Sequence, residues 1–407
     1  MQSLAQKESN RIKQTDQKAN KSSLGNLLRE NMRQYSIIIS LICIMIFFQI
    51  LSGGILLKPL NITNLILQNS YILVLAIGMV LVIILGHIDL SVGSIAAFTG
   101  AISAILMVND HIPTFIAVVV SLLIGALVGA WQGFWVAYVR IPSFIVTLAG
   151  MLIFRGLTMV VLKGTSIAPF PVSFQKMSSG FIPDLFMGAS LNIFTIVIGI
   201  VLSLILVLTQ IKQRKNQLKY NLYSQPIGLF IAKLVATVAI INLFAYVLAT
   251  YEGVPNILVI LVVLILAYRF VTRKTIAGRH IYAIGGNEKA AALSGIKTKG
   301  VTFWVFVNMG VLAALSGLLF AARLNAATPG AGNLFELDAI AACFIGGASA
   351  YGGIGTVAGA IIGGLVMGVM NNGMSLLGIG IDWQQGIKGF VLLLAVAFDI
   401  YNKNKAS

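Results

Sequence analysis

The stretch RFVTRKTIAGRHIYAIGGNEKAAALSGIKTKG, residues 269–300, is the longest strongly charged interruption in a chain that is otherwise almost wholly apolar. It holds seven of the 28 Lys and Arg residues. Within it, NEKAAALSG (287–295) reads as one short helix. Gly285 and Gly286 end the segment before it, and Asn287 is a good N-cap. Glu288 then sits in the first turn beside the positive end of the helix dipole, and Gly295 is a natural stop. Ser294 closes the last turn, and Ala290, Ala291 and Ala292 are small enough for a close fit. So short a helix is unstable alone, so it needs a surface, either a soluble partner or the chain's own membrane helices.

Working outward, composition sets the class. Hydrophobic residues make up 58% of 407 and charged residues only 10%, against about 25% charged in soluble domains. The fold class expected is therefore all-α, a polytopic membrane protein. A net charge of +16 would suggest nucleic acid in a soluble chain. Here the cations lie between apolar runs, which positive-inside bias explains without any nucleic-acid partner. Cys43 and Cys343 both fall in apolar runs, so neither a disulfide framework nor a metal cluster is expected. The first 34 residues are polar and Lys-rich, with no small-residue cleavage site behind them, so no cleaved signal is expected.

A helix needs about 20 apolar residues to cross the hydrocarbon core. Runs of that order fall near 35–57, 64–86, 91–108, 115–139, 143–162, 191–211, 228–250, 255–271, 301–322, 355–377 and 386–401, with a shorter one near 337–350. About 10–12 membrane helices are expected, some of them short or discontinuous where glycine is dense. Placing the N-terminus in the cytoplasm puts 21 of the 28 Lys and Arg residues inside, so both termini are expected there. Lys58, Lys163, Lys176 and Arg323 fall outside, while Arg155, Lys233 and Lys388 lie within or near spans, where snorkelling to an interface would suit them. Sixteen of the 41 glycines lie between 330 and 389. Gly125-Gly129-Gly133, Gly359-Gly363 and Gly364-Gly368 have the spacing that lets membrane helices approach closely.

The few polar groups at membrane depth are candidates for the path of a solute. Gly86-His87-Ile88-Asp89-Leu90-Ser91 breaks a long apolar stretch. Asp89 or Ser91 can cap the next helix, and the break, His87 included, can also line a pathway or gate, the two readings not being exclusive. A second cluster, Asn325 and Thr328 through Glu336 and Asp338, is expected on the outer side. There Arg323 either pairs with an acid to close an external loop or the group forms a mouth for a hydroxylated solute. Asn371-Asn372 and Gln384-Gln385 complete the set, the Asn pair bonded either to a neighbouring helix or to solute. The three histidines, His87, His111 and His280, have no ligand spacing, so no metal is expected. No catalytic constellation and no Walker A pattern GxxxxGK[ST] is present, so the chain does not bind ATP as a cofactor of its own.

Several long motifs carry a family resemblance. They are GMVLVIILGHIDLSVGSIAAFTGA (78–101), IPSFIVTLAGMLIFRGLT (141–158), GRHIYAIGGNEKAAALSGI (278–296), ARLNAATPGAGNLFELDAIAACFIGGASAYGG (322–353) and IIGGLVMGVMNNGMSLLG (361–378). Together they resemble the monosaccharide permeases of ABC importers, nearest to the xylose-type and multiple-sugar branch. The matches run in order from about 64 to 401, and 163–250 carries little of them. The resemblance implies a homodimeric permease domain over 35–401, between cytoplasmic tails at 1–34 and 402–407, in a bacterial cell membrane. It would work with a tandem ATP-binding subunit holding ATP and Mg, a sugar-binding protein outside, and a monosaccharide as cargo. By the same resemblance 287–295 is similar to a coupling helix, although it departs from the EAA-x-x-x-G pattern of other importers. The rival reading is an ion-coupled secondary transporter of a small polar solute, which would show paired acids in matching halves.

Overall fold

The computed structural model describes residues 37–186, 191–220 and 226–406. The basic tail at 1–34 lies outside them. Among the described residues the regular secondary structure is helical, with two isolated β-bridges, Ile167 with Ala327 and Phe181 with Pro255. Proline marks many helix starts, since it is preset for the first turn and lacks the N–H that would go unbonded there. Pro59 opens α2 (Pro59–Ile84). Pro113, Pro142, Pro226 and Pro255 immediately precede α4 (Thr114–Phe134), α5 (Ser143–Leu162), α8 (Ile227–Ala249) and α9 (Asn256–Lys274).

At the centre stand α2 and α12 (Thr298–Leu324), whose buried residues include Ile72, Leu75, Ile77 and Met79 on one and Phe306, Met309, Leu312 and Leu319 on the other. A helix apolar on every side belongs inside a membrane bundle. The 125–129–133 glycines pack α4 against α12. A methyl group on Gly129 would lie 2.4 Å from the Phe306 carbonyl oxygen, and one on Gly310 would lie 2.1 Å from that of Gly125. Without a hydrophobic drive between helices in lipid, such backbone contact supplies the attraction. Gly359 and Gly363 do the same between α14 (Val357–Leu376) and α13 (Phe335–Ile345).

Around this centre lie α1 (Ile37–Leu51), α5, α15 (Ile381–Ala406) and the hairpin of α7 (Ile193–Lys219) with α8. The hairpin is joined by Asn242 donating to the Ser203 hydroxyl at 2.8 Å. Its outer faces expose Ile200, Leu204, Val235, Ile240 and Leu243, as lipid-facing helices do.

Nine helices among the described residues are long and apolar enough to cross a membrane, and α1 is a shorter apolar one. The run expected near 337–350 is not a crossing helix. Its helical part, α13, has 11 residues, about 16 Å at 1.5 Å per residue, or half of a core about 30 Å thick. The chain reaches it by a non-helical segment, 325–334, that turns back from the far end of α12. A second break at 85–91 separates α2 from α3 (Val92–Ala104). Each break is covered by protein in part, with Asp89 and Ser91 buried in one and Ala327 and Gly332 in the other, while Gly86, Gly330 and Asn333 are exposed. Such cover is the condition under which irregular backbone is tolerated at membrane depth.

Candidate translocation centre and docking surface

One end of the bundle carries the charged loop. It forms two helices rather than the single one expected, α10 (Ile276–Gly286) and α11 (Glu288–Leu293). Asn287 caps α11, its side chain accepting the Ala290 N–H at 3.0 Å. Gly295 ends it at φ +86°. Gly285 is pressed onto the core: a methyl group there would lie 1.7 Å from the Ile84 carbonyl oxygen and 2.7 Å from the Gly353 nitrogen. Gly353 N–H itself donates to Ile84 O at 2.8 Å, and Tyr282 donates to the Gly355 carbonyl at 2.7 Å. The loop end therefore bears on the end of α2 and on the turn between α13 and α14. Gly286, Asn287, Glu288, Ala292 and Ser294 face outward. Ala291 does not. It is 5% exposed and packs on the chain's own core, so of the three alanines it seats the helix rather than presenting it. The most prominent outward side chain is Leu293, 91% exposed, which sequence reasoning had passed over.

From this end the 85–91 segment climbs into the membrane. The Ile88 carbonyl accepts from Thr147 near the start of α5. Ser91 lies against Gly150, seven residues into α5, about 10 Å deep. Ser91 occupies the N-cap position of α3, yet its side chain bonds no helix N–H. Instead Asp89, 1% exposed, accepts both the N–H and the hydroxyl of Ser91, at 2.9 and 2.6 Å. The Ser91 oxygen in turn accepts from the Gln132 amide at 2.7 Å. The second Asp89 oxygen and the Gln132 carbonyl oxygen find no partner. His87 remains at the loop end, half-buried against the Phe306 ring with centroids 5.9 Å apart. Burial lowers its pKa below the usual 6.5, opposed by the nearby Glu288 carboxylate of α11.

The second cluster does not sit together on an outer loop. Asn325 ends α12 at the opposite end, where its side chain accepts the Phe170 N–H at 2.8 Å. Thr328 lines a small cavity of about 10 Å³ with Ala96, Gly100, Gly317 and Phe335. Glu336 and Asp338 lie in the first turn of α13, near mid-membrane. Arg323 pairs with neither: its Nε has no partner, and its guanidinium carbon lies 5.9 Å from the Phe320 ring centroid. The cation that meets Asp338 is Lys388 of α15, at 3.1 Å. The Tyr71 hydroxyl donates to the same carboxylate at 3.2 Å. Lys388 thus serves a buried acid instead of snorkelling, and so does Arg155 depart from that expectation. Its two terminal nitrogens donate to the Ala331 and Gly332 carbonyls at 2.7 and 3.2 Å. Asn372 is consumed by a reciprocal pair with Asn61, at 2.9 and 3.1 Å, while Asn371 lies beside Asp338. Tyr71 and Gln132 are the polar groups missed in the sequence, whereas Arg155 and Lys388 stand out there as cations within or near spans and only their partners do not.

The two breaks meet. A methyl group on Gly93, in the first turn of α3, would lie 2.2 Å from the Gly332 carbonyl oxygen and 2.5 Å from a Glu336 carboxylate oxygen. Two helix starts, with the positive ends of their dipoles, therefore face each other across a glycine contact at half depth.

Comparison with known proteins finds permease components. The chain is 40% identical over 375 residues to the xylose transport system permease protein of Haemophilus influenzae, covering 92% of this chain and 98% of that one. It is 39% identical over 376 residues to the Escherichia coli K12 xylose permease protein, at 92% and 94% coverage. It is 35% identical over 341 residues to the ribose import permease protein of Haemophilus influenzae, at 84% and 85%. No solved structure matches. The family described as branched-chain amino acid transport system, permease component, matches residues 61–396, and the chain belongs to that family of multi-pass membrane permease components.

Proposed function

We propose that this chain is the permease subunit of an ABC importer that moves a monosaccharide, xylose-like or another pentose or hexose, into the cytoplasm by alternating access. It is a transport component and not an enzyme. ATP and Mg belong to a tandem ATP-binding subunit on the cytoplasmic side, and a sugar-binding protein delivers cargo outside. Two copies of the chain form the working unit, with both termini in the cytoplasm. The likeness to xylose and ribose permease proteins supports the sugar class.

The observation that carries the reading is the seating of α10 and α11. They present an exposed, capped helix at the cation-rich end while Gly285 rests on Ile84 and Gly353. A push on α11 is therefore felt by the backbone that leads into one half-depth break and by the turn that follows the other. A helix merely packed on the surface would not need that backbone contact.

Reconstitution tests this directly. The chain, an ATPase with two nucleotide-binding halves and the secreted binding protein are placed in vesicles, and ATP-dependent uptake of labelled xylose and other monosaccharides is measured. Uptake that needs all three components is expected. Uptake by the chain alone under a proton or sodium gradient would overturn the reading in favour of a secondary transporter.

A further inference from the structure

Arg155 lies twelve residues into α5, about 18 Å from its start, a depth at which a guanidinium is expensive and usually serves function. In this structure it spends itself on two neutral acceptors, the Ala331 and Gly332 carbonyls. One of those oxygens has a charged neighbour. The Gly332 oxygen and a Glu336 carboxylate oxygen both touch the same point beside Gly93, 2.2 and 2.5 Å from it, so the two are at most about 5 Å apart. That Glu336 oxygen is buried and has no hydrogen-bond partner. Arg155 already lies within electrostatic reach of the carboxylate, as do the like charges of Asp89 and Asp338. Asp338 is held by Lys388 and Asp89 by the N–H and hydroxyl of Ser91, whereas no cation among the described residues bonds Glu336.

A guanidinium and a carboxylate can form a bidentate, doubly charged pair, stronger than the bonds the same guanidinium makes to neutral carbonyls. That pair is unmade here, and Gly93 of α3 stands against both the Gly332 oxygen and the Glu336 oxygen, so closely that a methyl on Gly332 would lie 1.9 Å from the Gly93 carbonyl oxygen. We infer that Arg155 exchanges partners during transport, leaving the Ala331 and Gly332 carbonyls for the Glu336 carboxylate when the starts of α3 and α13 part. The exchange rests on the transport reading above. It would give the opened centre a charge-paired resting place and let the 325–334 segment go free of α5. Arg155 and Glu336 act here as positioning residues for the helix starts, with no contact to solute required.

The test is a double-mutant cycle in the reconstituted system with R155Q, E336Q and the double variant. Each single variant should lower ATP-driven uptake about tenfold or more. The double should fall no further than the worse single, a coupling of about tenfold. Melting of the purified proteins separates this from a structural role. E336Q should melt at or above wild type, because its carboxylate is unpaired in this state, whereas R155Q should melt lower through loss of two bonds. Should R155Q fail to fold, R155K retains the charge and loses the fork geometry, and takes its place in the cycle. Losses that multiply in the double variant, or wild-type uptake by E336Q, would overturn the exchange. Wild-type protein that takes up no sugar with its partners overturns the importer reading and the exchange with it.

Discussion

Single residues in this bundle matter most where a polar group has a partner to lose. Asn61 and Asn372 bond each other reciprocally inside the apolar bundle. Replacing Asn372 by Ala leaves the buried Asn61 carbonyl oxygen without a donor, although its amide nitrogen keeps the Leu56 carbonyl, and such a loss costs about 1–3 kcal/mol. Replacing both by Leu should be milder than that single change, as thermal melting in detergent will show. His87 gives a pH signature. Its folded pKa is lowered, chiefly by burial, with Glu288 pulling the other way. The unfolded chain therefore takes up a proton near pH 6.5 before the folded chain does, and stability present above that pH is lost as pH falls through the folded value. Melting measured from pH 7.5 down to pH 5 should show a fall that is reduced in H87N. An equal fall in both proteins would place the titration elsewhere. Both residues drew notice in the sequence as polar groups in apolar runs. Their partners, Asn61 and Phe306, did not, because a one-dimensional pattern does not show which helix lies opposite.

Among the elements, α11 and the α4–α12 seam make opposite predictions. Leu293 projects from α11 and touches little of its own chain. L293D should therefore leave melting unchanged within about 0.5 kcal/mol, while cutting partner-driven uptake at least about tenfold. Uptake at the wild-type rate would mean that this face docks nothing. Ala291 turns inward, so A291F should lower stability by about 1–3 kcal/mol through overpacking before any effect on coupling can be read. At the seam, G129L has no room against the Phe306 and Val307 backbone and should reduce the yield of folded protein, whereas G156L, with open space around it, should not. The cap and stop of α11 were legible because Asn287, Glu288 and Gly295 sit adjacent in sequence and act within one turn. Which alanine faced inward was not, since that depends on the angle at which α10 delivers the helix onto Ile84 and Gly353.

At the scale of the whole molecule, the proposed topology, with the α10–α11 end in the cytoplasm, makes its own prediction. Introduced cysteines at Ser294 and Lys163, in a C43S background, should be labelled by a membrane-impermeant thiol reagent from opposite sides of sealed vesicles. Labelling of both from one side would reject the alternating topology. The sequence by itself determined that the chain is an α-helical membrane protein, roughly where its spans fall, and which loop is charged. These follow from local quantities: the length of apolar runs, the sign of the charge between them, and capping chemistry within one turn. Only the tertiary structure decided that Glu336 and Asp338 lie at half depth and not on an outer loop, that Lys388 and Arg155 serve buried partners, and that two broken helices meet at Gly93 and Gly332. The physical reason is that a chain carries no record of depth. An 11-residue helix after a glycine-rich segment reads as a weak span until its neighbours show that the segment before it has already crossed half of the membrane.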